Sequence, residues 1–89
     1  MGAREAPQKS KSTASLDDAF LRALGERVRD ARARRGMTRK ILAHDSGVSE
    51  RYLAQLETGQ GNVSVLLLQR IAAALNLPLT ELLHEASAQ

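Results

Sequence analysis

The sequence contains no cysteine and no tryptophan, and Phe20 and Tyr52 are its only aromatic residues. Without cysteine the 89-residue chain has no disulfide, no thiolate metal ligand and no cysteine nucleophile, so it must be held together by packing. Val, Ile and Thr together number only ten, which leaves little of the material from which sheets are built. Leucine and alanine occur fourteen times each and favour helix. We therefore predict one small all-α domain.

Long apolar runs and catalytic constellations are also missing. No stretch approaches the roughly 18 consecutive apolar residues of a membrane span, and the first fifteen residues lack the apolar run of a signal peptide. His44 and His84 lie far apart, and the chain has no phosphate-binding glycine loop and no nucleophile spaced with a partner. We expect a cytoplasmic protein that is not an enzyme, contacts no membrane, and uses no metal or cofactor.

The charged residues are distributed unevenly along the chain. Residues 1–15 carry three basic residues against one acidic residue, and residues 16–41 carry eight against four. Residues 42–89 carry two basic residues against five acidic ones, so the formal net charge of +3 conceals a basic N-terminal half and an acidic C-terminal half. Such a chain is expected to turn its basic side toward a polyanion, and nucleic acid is the first candidate.

Composition divides the chain into an arm, a domain and a short tail. Residues 1–15 combine proline, glycine, serine and lysine without a periodic apolar face, and we predict that they form a disordered basic arm. Apolar residues then recur at helical spacing through residues 16–85, which we assign to the folded domain. Residues 86–89 form a C-terminal tail.

Capping residues and apolar periodicity predict five helices within the domain. The first runs from the N-cap Ser15 or Asp17 to about Arg35, and Gly36 ends it. Each later helix is introduced by a residue whose hydroxyl can accept a hydrogen bond from the first helical turn. These N-caps are Thr38 for residues 39–45, Ser49 for 50–58, Ser64 for 65–75 and Thr80 for 81–85.

The second and third predicted helices have the spacing that two crossing helices require. Ala43 is small enough for a close crossing, and Gly47 in the turn can adopt positive φ. Ile41 and Leu42 are expected to face inward from the second helix. Leu42, Val48, Leu53 and Leu56 then fill the angle between the helices. A fixed angle is needed by any helix that is presented to the major groove of DNA at a set depth.

These motifs resemble the XRE family of helix-turn-helix proteins, which includes phage repressors and Cro proteins. The resemblance spans about residues 21–83 and is carried by Arg35-Gly36-Met37-Thr38, Ala43-x-x-x-Gly47-Val48-Ser49, Tyr52 to Gly59, and Ile71-Ala72-x-Ala74-Leu75 followed by Leu82-Leu83. It implies a five-helix lambda-repressor-like fold. It also implies a transcriptional regulator, a repressor, that binds specific double-stranded DNA sequences as a homodimer. The expected location is the cytoplasm, on the nucleoid, and the expected source is a bacterium or a phage.

The third predicted helix resembles the recognition helix of this family, whose N-terminal residues enter the major groove. Leu53 and Leu56 fix its inward side, and the expected base-reading residues are the outward ones: Ser49, Glu50, Arg51, Ala54 and Gln55. The Arg51 fork fits guanine O6 and N7, Gln55 fits adenine, and Glu50 fits cytosine N4. Glu50 has an alternative role, because a carboxylate in a first helical turn is favoured by the helix dipole.

Phosphate contacts are expected around the start of the second helix and the end of the third. The candidates are Thr38, Arg39, Lys40, Thr58, Gln60, Asn62 and Ser64. Arg39 stands where family members commonly have glutamine, so we expect it to neutralise phosphate. Glu57 resembles the family's structural acid, which implies a pair with Arg32 that supports the fold. Tyr52 is expected to fill the core with its hydroxyl near the surface.

The fourth helix contains more leucine than one face can bury. Leu66, Leu67 and Leu68 are consecutive, so Leu66 is expected to be partly exposed. With Leu67, Leu79 and Leu83 it forms the candidate dimer interface. An alternative function remains open, in which the chain is a helical interaction module, such as an antitoxin or adaptor, that binds a partner through Leu66 and Leu67. DNA binding weakens steeply with salt, whereas a leucine contact does not.

A narrower resemblance is to the N-terminal domain of benzoate-catabolism transcriptional regulators. It is carried by residues 24–29, 34–39 and 48–53. In that group the DNA-binding domain precedes a shikimate-kinase-like domain that senses an aromatic acyl-CoA. The resemblance therefore implies a small-molecule effector only if a further C-terminal domain exists outside this chain.

Overall fold

The computed structural model describes the backbone of residues 2–84 and the side chains of residues 17–84. Within this part of the chain all regular structure is helical, which confirms the predicted all-α fold. The helices are α1 (Gly2–Arg34), α2 (Arg39–Ser46), α3 (Glu50–Glu57), α4 (Val65–Ala74) and α5 (Leu79–Leu83). None of the helices in these residues combines the length and the apolar character needed to cross a membrane.

The first helix begins earlier than its sequence pattern predicts. Its backbone is helical from Gly2, so Ser15 and Asp17 were wrong as N-caps. Eight of the fifteen residues 2–16 are Ala, Lys, Arg, Glu or Gln, which have high helix propensity, and extending a helix costs far less than starting one. The side chains of the predicted arm and the predicted tail at residues 86–89 lie outside the described residues, and both assignments stay predictions.

Three of the predicted N-caps are present. In each, the side-chain oxygen accepts a hydrogen bond from the backbone amide three residues later, at 3.0 Å for Thr38, 2.9 Å for Ser49 and 3.3 Å for Ser64. The prediction that Thr80 caps the last helix was wrong. This helix begins after Pro78, whose φ of −70° is already close to the helical value and whose nitrogen has no hydrogen to leave unbonded.

The core lies where all five helices meet. It consists of Leu24, Val28, Ala31, Leu42, Ala43, Leu53, Leu56, Leu68, Ile71, Ala72, Leu75 and Leu82. In α2 the inward side is formed by Leu42, Ala43 and Ser46, and the Ser46 hydroxyl is satisfied by donating to the carbonyl oxygen of Leu42 at 2.6 Å. The prediction that Ile41 faces inward was wrong, since it is 46% exposed. A helix of two turns has a single buried face, and Ile41 points away from it.

The first and third helices cross at Gly25, with no side chain between them. A Cβ atom at Gly25 would lie 2.8 Å from the carbonyl carbon and oxygen of Glu57, and closer still to the carbonyl oxygen of Leu56. Only glycine permits this approach, because any other residue would place its Cβ inside the backbone of α3. The crossing therefore holds the C-terminal end of α3 directly against α1.

Candidate nucleic-acid interface

A three-residue turn, residues 47–49, joins α2 to α3. Gly47 has φ of +75°, and its amide donates to the carbonyl oxygen of Ala43 at 2.9 Å. The amide of Val48 donates to the same oxygen at 3.1 Å. The left-handed backbone at Gly47 reverses the chain over a small buried side chain, as the spacing of Ala43 and Gly47 predicts. Leu42 and Leu53 are fully buried in the angle and hold it rigid.

None of the recognition-helix candidates is buried in the core. Leu53, Leu56 and Glu57 are buried on its inner side. Of the predicted base-reading residues, Ser49, Glu50 and Arg51 are exposed, and Ala54 and Gln55 are half-buried. Among residues 17–84, neither Glu50 nor Arg51 forms an ion pair, so their charged groups are available to a ligand.

Glu57 is a buried carboxylate held by two arginines. Arg32 donates from Nε to Oε2 at 2.7 Å and from Nη2 to Oε1 at 3.0 Å, which is the pair expected from the sequence. Arg32 also donates from Nη1 to the carbonyl oxygen of Met37 at 2.9 Å. The hydrogen bond with Glu57 raises the pKa of Arg32, while desolvation opposes it. A buried carboxylate would be costly without such partners.

Arg39 is the second partner of Glu57, which the sequence reasoning missed. Its Nε donates to Oε1 of Glu57 at 3.2 Å, while 44% of its side chain remains exposed. Two guanidinium groups against one carboxylate leave an excess of positive charge at the N-terminus of α2. A cation at that end of a helix is disfavoured by the helix dipole. An arginine at the first position of a predicted helix was therefore the sequence feature that indicated a nearby acidic partner.

The other candidate phosphate ligands differ in whether their hydroxyl hydrogens are free. The Thr58 hydroxyl donates to the carbonyl oxygens of Ala54 and Gln55, both at 3.1 Å, so it offers no hydrogen to a phosphate in this conformation. The Ser64 hydroxyl accepts its capping bond, which leaves its hydrogen free, and the Ser64 amide donates to the Tyr52 hydroxyl at 3.1 Å. The remaining candidates, Thr38, Lys40, Gln60 and Asn62, are exposed.

The leucines of the candidate dimer interface are not equally exposed. Leu66 is 57% exposed, as its position in the helical pattern predicts, and Leu83 lies on the surface of α5. Leu67 is half-buried, and Leu79 packs against the core. Val65, at the start of α4, is more exposed than any of them, although the sequence pattern did not single it out.

The bundle, the tight turn and the exposed side of α3 define a helix-turn-helix protein. Residues 28–82, more than half of the chain, match the family described as Helix-turn-helix. The chain belongs to the XRE-type helix-turn-helix family of DNA-binding transcription regulators. This confirms the family, the fold and the class of function predicted from the sequence.

A named relative agrees with this assignment. The HTH-type transcriptional regulator SlrR of Bacillus subtilis (strain 168) is 42% identical over 60 residues, which cover 66% of this chain and 40% of SlrR. The chain therefore spans less than half the length of that relative.

Solved structures of similar fold include proteins from Aeromonas hydrophila, Corynebacterium glutamicum and Neisseria. The restriction-modification controller protein C.AhdI of Aeromonas hydrophila superposes with a TM-score of 0.70 at 36% identity, over 72% of this chain and 97% of C.AhdI. The clp gene regulator ClgR of Corynebacterium glutamicum gives 0.71 at 39% identity, over 78% and 73% of the two chains. The hypothetical transcription factor NHTF from Neisseria gives 0.72 at 26% identity, over 80% and 83%.

Proposed function

We propose that the chain represses transcription by binding a specific double-stranded DNA sequence as a homodimer, with α3 of each copy in the major groove. The proposal rests on one observation: the rigidly held helix α3 exposes Arg51 and Glu50, and neither of these two residues forms an ion pair within residues 17–84. The relatives named as regulators and as a controller protein support a role in gene control. We place its action in the cytoplasm, on the bacterial nucleoid.

Three of the predicted base-reading residues each have hydrogen-bonding groups that match one base. Arg51 is exposed in the first turn of α3 and fits guanine through two parallel N–H bonds. Gln55, one turn later, fits adenine, and Glu50 fits the amino group of cytosine. Ser49 and Ala54 are neighbours of these three residues and contribute to the shape of the surface that faces the groove. The alternative for Glu50 remains that it serves the dipole of α3.

Phosphates on either side of the groove are contacted from two places. Arg39 and Lys40 bring positive charge to the N-terminus of α2, where Thr38 stands as N-cap. Gln60, Asn62 and Ser64 line the loop between α3 and α4. Thr58, in the same loop, contributes only after its hydroxyl leaves the backbone carbonyls of α3.

Dimer formation is assigned to the exposed apolar residues of α4 and α5. Leu66 and Leu83 are the more exposed residues of this surface, and Leu67 and Leu79 are its half-buried residues. The resemblance to benzoate-catabolism regulators stays a prediction, and a small-molecule effector is proposed only for a longer protein with a further C-terminal domain.

A second function is favoured by the same exposed leucine. Leu66 and the neighbouring Val65 form an apolar surface at the start of α4, which suits an antitoxin or adaptor that binds a protein partner. The two functions differ in their response to salt, because only phosphate contacts release counterions from DNA.

The deciding experiment is selection from a random duplex library, followed by footprinting and a salt titration on the selected duplex. We expect two protected half-sites and an affinity that falls steeply as salt rises. If no duplex is bound even at low salt, the repressor function is wrong and the adaptor function survives.

A further inference from the structure

The loop after α3 is built on the backbone of Gln55. The carbonyl oxygen of Gln55 accepts hydrogen bonds from the amide of Gln60 at 2.8 Å and from the amide of Thr58 at 3.2 Å. The Thr58 hydroxyl donates to the same oxygen at 3.1 Å. The residue proposed to read adenine is therefore also the residue to which the loop is tied.

The loop then passes along the side chain of Gln55. A Cβ atom at Gly61 would lie 3.3 Å from Oε1 of Gln55, 3.8 Å from its Cβ and 3.9 Å from its Cδ. These atoms run from the base of the side chain to its tip, so a side chain at position 61 would lie along Gln55. Gly61 has φ of +77°, which brings the loop to this place without a side chain of its own.

A side chain at position 61 would move the amide of Gln55. A Cβ–oxygen distance of 3.3 Å is tighter than an ordinary van der Waals contact, so one partner must yield. The Gln55 amide is the flexible end of its side chain and yields easily, so this contact costs little folding free energy. The displaced amide would instead be misplaced for base recognition, because a glutamine–adenine pair needs the amide oxygen and nitrogen in line with N6 and N7 of the adenine.

We propose that Gly61 is a positioning residue for base recognition, which preserves the adenine preference of the protein by leaving free the space that the Gln55 amide occupies. This rests on the proposed function, in which Gln55 reads a base. Gly61 itself is exposed, and its role is to lack a side chain beside Gln55.

The test compares Gly61→Ala with Gly36→Ala. Both substitutions add a methyl group at positive φ, +77° and +66°, but at Gly36 no atom lies within 4 Å of the added carbon. Thermal denaturation reports the strain, and affinities for duplexes that differ only at the base pair affected by Gln55→Ala report the preference. We expect Gly61→Ala to lower the adenine preference about fivefold or more, and Gly36→Ala to leave it unchanged.

The double variant Gln55→Ala with Gly61→Ala separates this inference from the proposed function. If Gly61 acts through Gln55, the double variant has the same base preference as Gln55→Ala alone. A folded Gly61→Ala that keeps the full adenine preference, while Gln55→Ala loses it, overturns the positioning role and leaves Gln55 as a base reader. If Gln55→Ala changes no base preference, both the reading role and the positioning role are wrong.

A measurement on the unaltered protein covers the case in which Gly61→Ala does not fold. Nuclear Overhauser effects between the side-chain amide hydrogens of Gln55 and the α-hydrogens of Gly61 are expected, together with a single side-chain rotamer for Gln55. A freely rotating Gln55 without these effects overturns the inference.

Discussion

Arg39 and Glu57 are joined across the helix-turn-helix unit, with Nε of Arg39 donating to Oε1 of Glu57 at 3.2 Å. The bond connects the first residue of α2 to the last residue of α3. Because Arg32 of α1 binds the same carboxylate, one buried acidic group connects α1, α2 and α3, which together orient the base-reading residues of α3. The charge left over is positive and lies at the start of α2, where a DNA phosphate is expected.

Glu57→Gln tests whether this carboxylate holds the bundle together. We expect a loss of about 2–3 kcal/mol in the free energy of unfolding, because two arginines lose their countercharge while one acceptor oxygen remains. Urea denaturation measures the loss, with the exposed Glu81→Gln as control. The raised pKa of Arg32 contributes stability that disappears only as pH rises through that pKa, so the loss should be the same across neutral pH. Equal stability of Glu57→Gln and Glu81→Gln would contradict the role of Glu57.

Arg39→Ala tests the excess charge at the start of α2. We expect weaker binding to cognate and scrambled duplex alike, and a salt slope reduced by about one, because a single phosphate contact is lost. The cost in stability should stay below about 1 kcal/mol, since Arg39 is half-exposed and its solvent-screened pair is weak. Affinity measured over a range of salt concentrations checks both effects, with the exposed Arg29→Ala as control. An unchanged salt slope would show that Arg39 serves Glu57 alone.

Arg51→Ala tests direct reading of a base. We expect a loss of about 1–3 kcal/mol on the cognate duplex and a relaxed preference at one base pair, because a bidentate contact to guanine is removed. Competition between cognate and scrambled duplexes measures the preference. The same fractional loss on both duplexes would move Arg51 from the base readers to the phosphate ligands.

Gly25→Ala tests the close crossing of α1 and α3. At an open helical position alanine would be more stable than glycine by about 1 kcal/mol. At Gly25 we expect the opposite sign, a loss of about 2 kcal/mol, because the new methyl group meets the backbone of Glu57. Ala33→Gly on the exposed side of the same helix is the matched control and should lose about 1 kcal/mol through propensity alone. A stabilised Gly25→Ala would show that the helices can separate without cost.

Leu66→Ser tests the dimer surface. Leu66 is largely exposed, so its replacement should leave folding intact and shift the monomer–dimer equilibrium toward monomer. Sedimentation over a range of concentrations measures the shift, and Ile41→Ser, at a similarly exposed residue of α2, is the control. An unchanged equilibrium for Leu66→Ser would place the dimer interface elsewhere.

Local features of this fold were readable because their partners lie close in the chain. Each hydroxyl cap bonds an amide three residues away, and the left-handed turn at Gly47 needs only the freedom of glycine. The burial of Leu53 and Leu56 on α3 follows from apolar spacing alone. The outward side of α3, with Arg51 and Gln55, follows from the same pattern by exclusion.

What the pattern could not supply depends on how the helices pack. The exposure of Ile41 depends on which side of α2 meets its neighbours, and the need for Gly25 depends on a crossing with α3. The bond from Arg39 to Glu57 joins residues 18 positions apart. Hydrogen bonds over three residues are set by the geometry of one helical turn, whereas these contacts exist only once the core has fixed the distance between two helices.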